Sequence, residues 1–286
     1  MKIQIQNIIH LLGAAIVLGT VISAPVKSAG ENSEHAAIDI QGDFVQGGLV
    51  LGKVSAGSTV TYDGQDVRVS EAGQFVIGFH RDELATVPLQ ITLPSGEQLS
   101  RSLEIAPREY NIQRVEGVPQ RTVDPPADQI ERIQREAREI GAAKRTNRPH
   151  LDFLGAWQWP VAGPISGVYG SQRVYNGTPG RPHYGVDIAR PTGTPVHAPQ
   201  GGYVTFANPD TYFSGGLILI DHGHGLSSSF LHLSAVNVEV GQRVEQGEVI
   251  GEIGATGRAS GPHLDWRMDI GKRRVDPQLL VEAMPE

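Results

Sequence analysis

The chain has no cysteine among its 286 residues, and that absence removes several chemistries at once. No disulfide framework, thiol nucleophile, lipid-bearing cysteine or cysteine zinc cage is available. Any metal site must therefore be built from histidine and carboxylates. Positive charge is scarce too: 24 lysines and arginines stand against 31 aspartates and glutamates, a net charge of -7. With no basic stripe to meet a phosphate backbone, nucleic acid is not an expected partner. The longest early apolar run, Leu11 to Ile22, has 12 residues, short of the roughly 20 that a membrane span needs. It suits the core of an export signal over residues 1–30, with Lys2 ahead of it and cleavage after Ala24, Ala29 or Gly30. The expected mature protein is periplasmic or secreted, with no stable membrane span.

What the chain does have is turns: 35 glycines and 19 prolines. That usage, with few helical runs, predicts an all-β protein. Over residues 38–106, short alternating segments such as Thr59-Val60-Thr61-Tyr62 and Leu89-Gln90-Ile91-Thr92-Leu93 are separated by turn pairs such as Asp63-Gly64. They predict a small β-sandwich, immunoglobulin-like in layout. His80, Arg81, Asp82 and Glu83 read as a solvated turn within it.

Residues 107–150 read as a linker with one helix at about 128–141. Ile130, Ile133, Ala137 and Ile140 form its apolar stripe, Glu131/Arg135 and Arg135/Glu139 stand one turn apart, Asp128 with Glu131 has a capping-box pattern, and Gly141 sits where helices end. From 151 to 286 strand patterns return, with Asn176-Gly177 as a hairpin dipeptide and Leu217-Ile218-Leu219-Ile220 as a buried strand.

Chemistry concentrates in two short stretches, His183-Tyr184-Gly185-Val186-Asp187 and Gly261-Pro262-His263-Leu264-Asp265. Each pairs an imidazole with a carboxylate at an even spacing, which on an extended backbone points both side chains the same way. Two such pairs can converge on one metal ion. Between them lie Gly193-Thr194-Pro195-Val196, Asp221-His222-Gly223-His224-Gly225, Phe230-Leu231-His232-Leu233, Gly241-Gln242-Arg243-Val244 and Gly254-Ala255-Thr256-Gly257.

In content and order this set resembles the catalytic domain of the lysostaphin-like, or LytM-like, zinc peptidases that cut peptidoglycan cross-links, over roughly residues 160–278. The resemblance implies an antiparallel β metallopeptidase domain acting on peptidoglycan stem peptides. It implies one zinc ion per chain held by His183 and Asp187, with His232 and His263 as catalytic imidazoles. The third ligand position, a histidine in the family, falls on Asp265, and Phe230 stands where the family usually has tyrosine. Carboxylate is a normal zinc donor, yet two carboxylates cancel the ion's charge, so bound water is expected to be less acidified. The harder donor set also admits manganese or cobalt. His222 reads as structural, His224 and His197 as surface or turn residues, Arg181 and Arg258 as solvated, and Trp266 as core packing that faces away from the metal.

Two other readings compete. One is an inactive regulator that keeps the groove and activates a partner cell-wall hydrolase. The other, a lipoyl-like carrier, fails because no lysine lies in the hairpin run Gly254-Ala255-Thr256-Gly257-Arg258.

Overall fold

Alternation of apolar and polar residues builds the first half. The computed structural model describes residues 38–115 and 126–285; the expected export signal lies outside them. Strands β1 (Ile38–Gly42), β2 (Leu49–Val54), β3 (Thr59–Tyr62), β4 (Gln65–Val67), β5 (Gln74–Gly78), β6 (Thr86–Thr92) and β7 (Gln98–Glu104) form two sheets, β1-β2-β5 and β4-β3-β6-β7. In β6, Val87, Leu89 and Ile91 are buried while Thr86, Pro88 and Gln90 face out. Both sheets feed one core, in which Val50 and Phe75 of the first meet Val60 and Leu89 of the second.

The predicted linker holds more than a helix. Its strand β8 (Ile112–Val115) runs parallel to β10 (Gln172–Tyr175), which turns through Asn176-Gly177 into β11 (Thr178–Pro179). Both turn residues have positive φ, 48° and 78°, as a two-residue hairpin requires. Helix α1 (Ile130–Lys144) follows a 3₁₀ turn at Ala127–Gln129. The capping box does not form: no side chain caps the helix start. Gly141 lies inside the helix, because the chain continues so that Ala143 can pack on Phe206, Leu217, Leu219 and Leu231. The buried face is also rotated from the predicted stripe. Ala137 is exposed and Glu136 is buried in its place.

The second half is a ten-stranded, mainly antiparallel sheet. Its main path takes β9 (Ile165–Gly167), β12 (Val186–Ile188), β19 (Leu264–Ile270), β16 (Leu226–Val236), β15 (Gly215–Gly223), β14 (Gly202–Thr211) and β17 (Arg243–Val244) in that spatial order; β13 (Pro195–His197), β18 (Val249–Ile253) and β20 (Arg273–Val275) pair off it. Register divides the two faces. Val186, Trp266, Phe230 and Ile218 form one cross-strand row in the main core. The adjacent row, Asp187, Asp265 and Leu231, looks to the other face. There α1 covers the apolar part over β14 and β15, and the charged part over β19 and β12 stays open.

The two halves interlock through polar contacts as well. Far from being a solvated turn, Arg81 is buried and donates to the Gly170 carbonyl at 2.9 Å, while Glu83 accepts from Arg273 at 3.2 Å. Arg108 reaches the buried Asp276 at 2.9 Å. His224 is buried against Phe153, ring centroids 5.0 Å apart, rather than on the surface, because the segment leaving α1 folds over its turn. Trp266 is fully buried and meets Trp159 edge-on at 5.8 Å.

Gly78 marks one tight point of the interlock, where a Cβ would lie 2.3 Å from Ile270 Cγ2 and 2.6 Å from Val275 Cγ1. Overpacking of this kind costs about 1–3 kcal/mol. Gly78→Val should therefore lower the unfolding free energy by that amount, read as a lower urea midpoint at unchanged slope. An unaltered midpoint would show that the two halves can separate freely.

Candidate metal centre

Three segments bring the donors together. Asp187 lies on β12 and Asp265 directly opposite it on β19. His183 is on neither strand, so strand alternation does not place it. Its backbone is instead bonded to a turn, donating to Ser171 O at 2.8 Å and accepting from Gly170 N at 2.7 Å. Gly170 is the residue held by Arg81 from the first half of the chain. Gly185 lets the chain pass close over β19, since a Cβ there would sit 2.6 Å from Asp265 Oδ1 and from Arg267 Cγ.

One donor atom from each of His183, Asp187 and Asp265 lies within 4.8 Å of the others. His183 Nε2 is 3.1 Å from Asp187 Oδ1 and 3.5 Å from Asp265 Oδ1. Nε2 and Asp187 Oδ1 are nonetheless buried without a hydrogen-bonding partner: the pair is close but misaligned, and both atoms face the same small space. Orphaned buried polar atoms are costly. A divalent cation between them satisfies both, so the donor set fits a metal.

Carbonyls fix which histidine nitrogens are free. His183 Nδ1 contacts Val168 O at 3.3 Å, His232 Nδ1 contacts Thr256 O at 2.9 Å and His263 Nδ1 contacts Gly261 O at 2.8 Å. A carbonyl only accepts, so each Nδ1 carries a proton and Nε2 is the nitrogen left to face the groove. The His232 and His263 rings are 4.8 Å apart, and His263 Nε2 is 3.9 Å from Asp187 Oδ1. All five residues singled out by sequence thus meet at one groove of about 760 Å³, with exposed Arg181 and Arg258 on its lining.

Burial works against charge on His183, but Asp187 and Asp265 outweigh it and push its pKa up to about 10. Burial also disfavours the Asp265 anion, yet Arg267 and His183 hold that carboxyl well below the usual carboxylate range. Burial lowers the pKa of His232 despite its bond to Thr256 O, leaving it neutral at neutral pH. His222 is fully buried between Gly201 O and Ser228 Oγ, each at 2.7 Å, in a structural role.

Arg267 is the neighbour that sequence reasoning missed. Its Nε lies 2.9 and 3.0 Å from the two oxygens of Asp265, and its Nη2 bonds the second. The expectation that two carboxylates simply cancel the ion's charge therefore changes, since one of them is already shared with a guanidinium. The available signal was position: on β19, residue 267 shares the face of residue 265.

Residues 181–277 match the model of peptidase family M23. A crystal structure from Pseudomonas aeruginosa assigned to peptidase M23 superposes with a TM-score of 0.66 and 30% identity, covering 83% of this chain and 94% of that one. The chain belongs to peptidase family M23. Curated M23 relatives include the cell division protein DipM of Caulobacter vibrioides, 34% identical over 44% of this chain and 21% of its own. Peptidoglycan DD-endopeptidase ShyA of Vibrio cholerae is 40% identical over 33% of this chain and 22% of its own. The matched part thus spans about a fifth of each of these relatives. In this M23 domain a metal ion at the site would compete with the histidine proton. A cation must displace it from His183 below about pH 10, whereas Asp265 is already ionised. Zinc affinity should rise about tenfold per pH unit from about pH 6 to 9, with about one proton released per ion; calorimetric titration in two buffers reads both. Affinity independent of pH would remove His183 from the ligand set.

Proposed function

We propose that the chain is an exported zinc metallo-endopeptidase that hydrolyses peptide cross-links of peptidoglycan. The observation that carries this reading is the pair of orphaned atoms, His183 Nε2 and Asp187 Oδ1, lying 3.1 Å apart beside the rings of His232 and His263. His183, Asp187 and Asp265 would hold zinc, which when bound supplies a Lewis acid that polarises the scissile carbonyl and acidifies water.

The chain's own groups do the rest. His232 and His263, fixed with Nε2 free, accept the proton of the attacking water as its oxygen bonds to the carbonyl carbon. They deliver a proton to the leaving nitrogen as the carbon–nitrogen bond breaks. In their protonated form they donate to the developing oxyanion. Arg267, partly buried against Asp265, offsets one of the two carboxylate charges, so the site retains the net positive field that stabilises that oxyanion. Of the harder ions, manganese and cobalt suit the same oxygen-rich set.

A second reading has its own observation. The same grip of Arg267 on Asp265 occupies lone pairs that a ligand needs, and it favours a metal-free regulator that binds peptidoglycan and activates another cell-wall hydrolase.

Metal analysis separates the two. Purified protein with close to one zinc per chain, releasing muropeptides from cell wall, supports the peptidase; metal-free protein that stimulates a second hydrolase supports the regulator. Asp187→Ala should remove the metal and lower hydrolysis by at least about a thousandfold, the scale for losing one essential member of a catalytic set. Turnover retained in that variant would refute the ligand assignment.

A further inference from the structure

Glu136 lies outside the matched family segment, on a helix whose other lining residues are apolar. A carboxylate in that position is expensive unless it is fully used. Glu136 is only 7% exposed, and both of its oxygens are engaged. Oε1 accepts from Arg132 Nε at 2.7 Å, and Oε2 accepts from the backbone N–H of Tyr212 at 2.8 Å. Arg132 in turn donates to the Asp210 carbonyl at 2.7 Å. The helix therefore grips the end of β14 and the start of the turn that joins it to β15.

That turn holds the groove. The carbonyl of Ser214 accepts from His232 N at 2.8 Å, and the carbonyl of Phe213 accepts from Arg258 N at 2.9 Å. Thr256 ties the same turn back to the site. Its Oγ1 accepts from Gly216 N at 3.0 Å and donates to Leu233 O at 2.8 Å, and its carbonyl takes the His232 Nδ1 proton. Contact is close enough that a Cβ on Gly215 would lie 2.0 Å from Thr256 Oγ1.

His232 needs such support because its φ is 66°, a left-handed conformation that a side-chain-bearing residue holds only when its surroundings impose it. It sits in a bulge: Gly216 pairs with Leu233 and Ile218 with Phe230, so Leu231 and His232 together face Leu217. Bulges re-aim side chains at such sites.

We propose that Glu136 is a positioning residue for His232, acting through the 212–214 turn, and that the linker helix is thereby part of the peptidase's working unit. The proposal rests on the reading of His232 as a proton-transfer group. Displacement of a reacting group by about 1 Å costs about a hundredfold in rate.

The test uses the full chain with Glu136→Ala and Glu136→Gln. Glutamine keeps an acceptor for Tyr212 N and should retain near-normal kcat. Alanine should lower kcat by about ten- to a hundredfold with KM and zinc affinity unchanged. A readout independent of turnover accompanies it: in ¹H–¹³C histidine ring spectra of metal-loaded protein, the His232 signal should move in Glu136→Ala and stay in Glu136→Gln, while His183 stays in both. Glu136→Met, which fills the same space, replaces alanine if that variant does not fold. A folded alanine or methionine variant whose His232 signal and kcat match the parent overturns the proposal. Wild-type protein that cleaves nothing, with a His232 signal that still moves in Glu136→Ala and stays in Glu136→Gln, leaves the positioning intact and refutes the peptidase reading instead.

Discussion

The structure depends on one electrostatic constraint: an imidazole and two carboxylates are buried together, with His183 Nε2 3.1 Å from Asp187 Oδ1 and neither atom hydrogen-bonded. Each has given up water for charge attraction alone, and that attraction is what raises the His183 pKa. The neighbouring choices show how it is tolerated. The Nδ1 of each of the three imidazoles faces a backbone carbonyl, at Val168, Thr256 and Gly261, so each ring turns its Nε2 toward the groove. Asp265, the more buried carboxylate, has Arg267 against it. The site is thus poised for a cation and held open by its own backbone.

Sheet register makes such a charged cluster compatible with a folded core. One face of the sheet is apolar across β12, β19, β16 and β15, and the chain stakes its stability there, on fully buried residues such as Trp266, Phe230 and Ile218. The opposite face is divided between an apolar patch under α1 and the polar groove. The bulge at His232 marks the border. On its near side Leu231 packs toward α1, while on its far side Leu233 has crossed to the main core. Without that extra residue, alternation would send the His232 ring to the face of Phe230, away from Asp187 and Asp265.

Much of this was legible in the sequence, and the reason is local. The His263–Asp265 spacing, the Asn176-Gly177 turn and the alternation in β6 are carried by neighbouring residues whose geometry the backbone fixes, whereas His183 lies off β12 and is placed by its bonds to the turn at Gly170 and Ser171. What escaped was set by long-range partners. Glu136 reads as part of a charged helix surface until β14 and β15 are placed against it. Arg81 reads as solvated until Gly170, 89 residues on, supplies an acceptor. Strand β8 has no signal of its own, because its partner β10 lies beyond the helix and the pairing is parallel. Arg267 escaped differently: its position on the face of Asp265 was readable, but the attention given to donor atoms passed over the cation beside them.

The long-range contacts that sequence missed are also the ones that reach the site from outside the family segment. Arg81 holds Gly170, whose N–H holds the backbone of His183; Glu136 holds Tyr212, whose turn holds the backbone of His232. The His183 and His232 sides of the groove are therefore each anchored by a buried charged residue from a different upstream element. A third upstream element, the segment at Asn111 and Gln113, lines the groove itself. The family domain supplies the reactive atoms, and the preceding 150 residues fix where two of them stand. An M23 domain excised at its sequence boundaries would keep its ligands and lose both anchors.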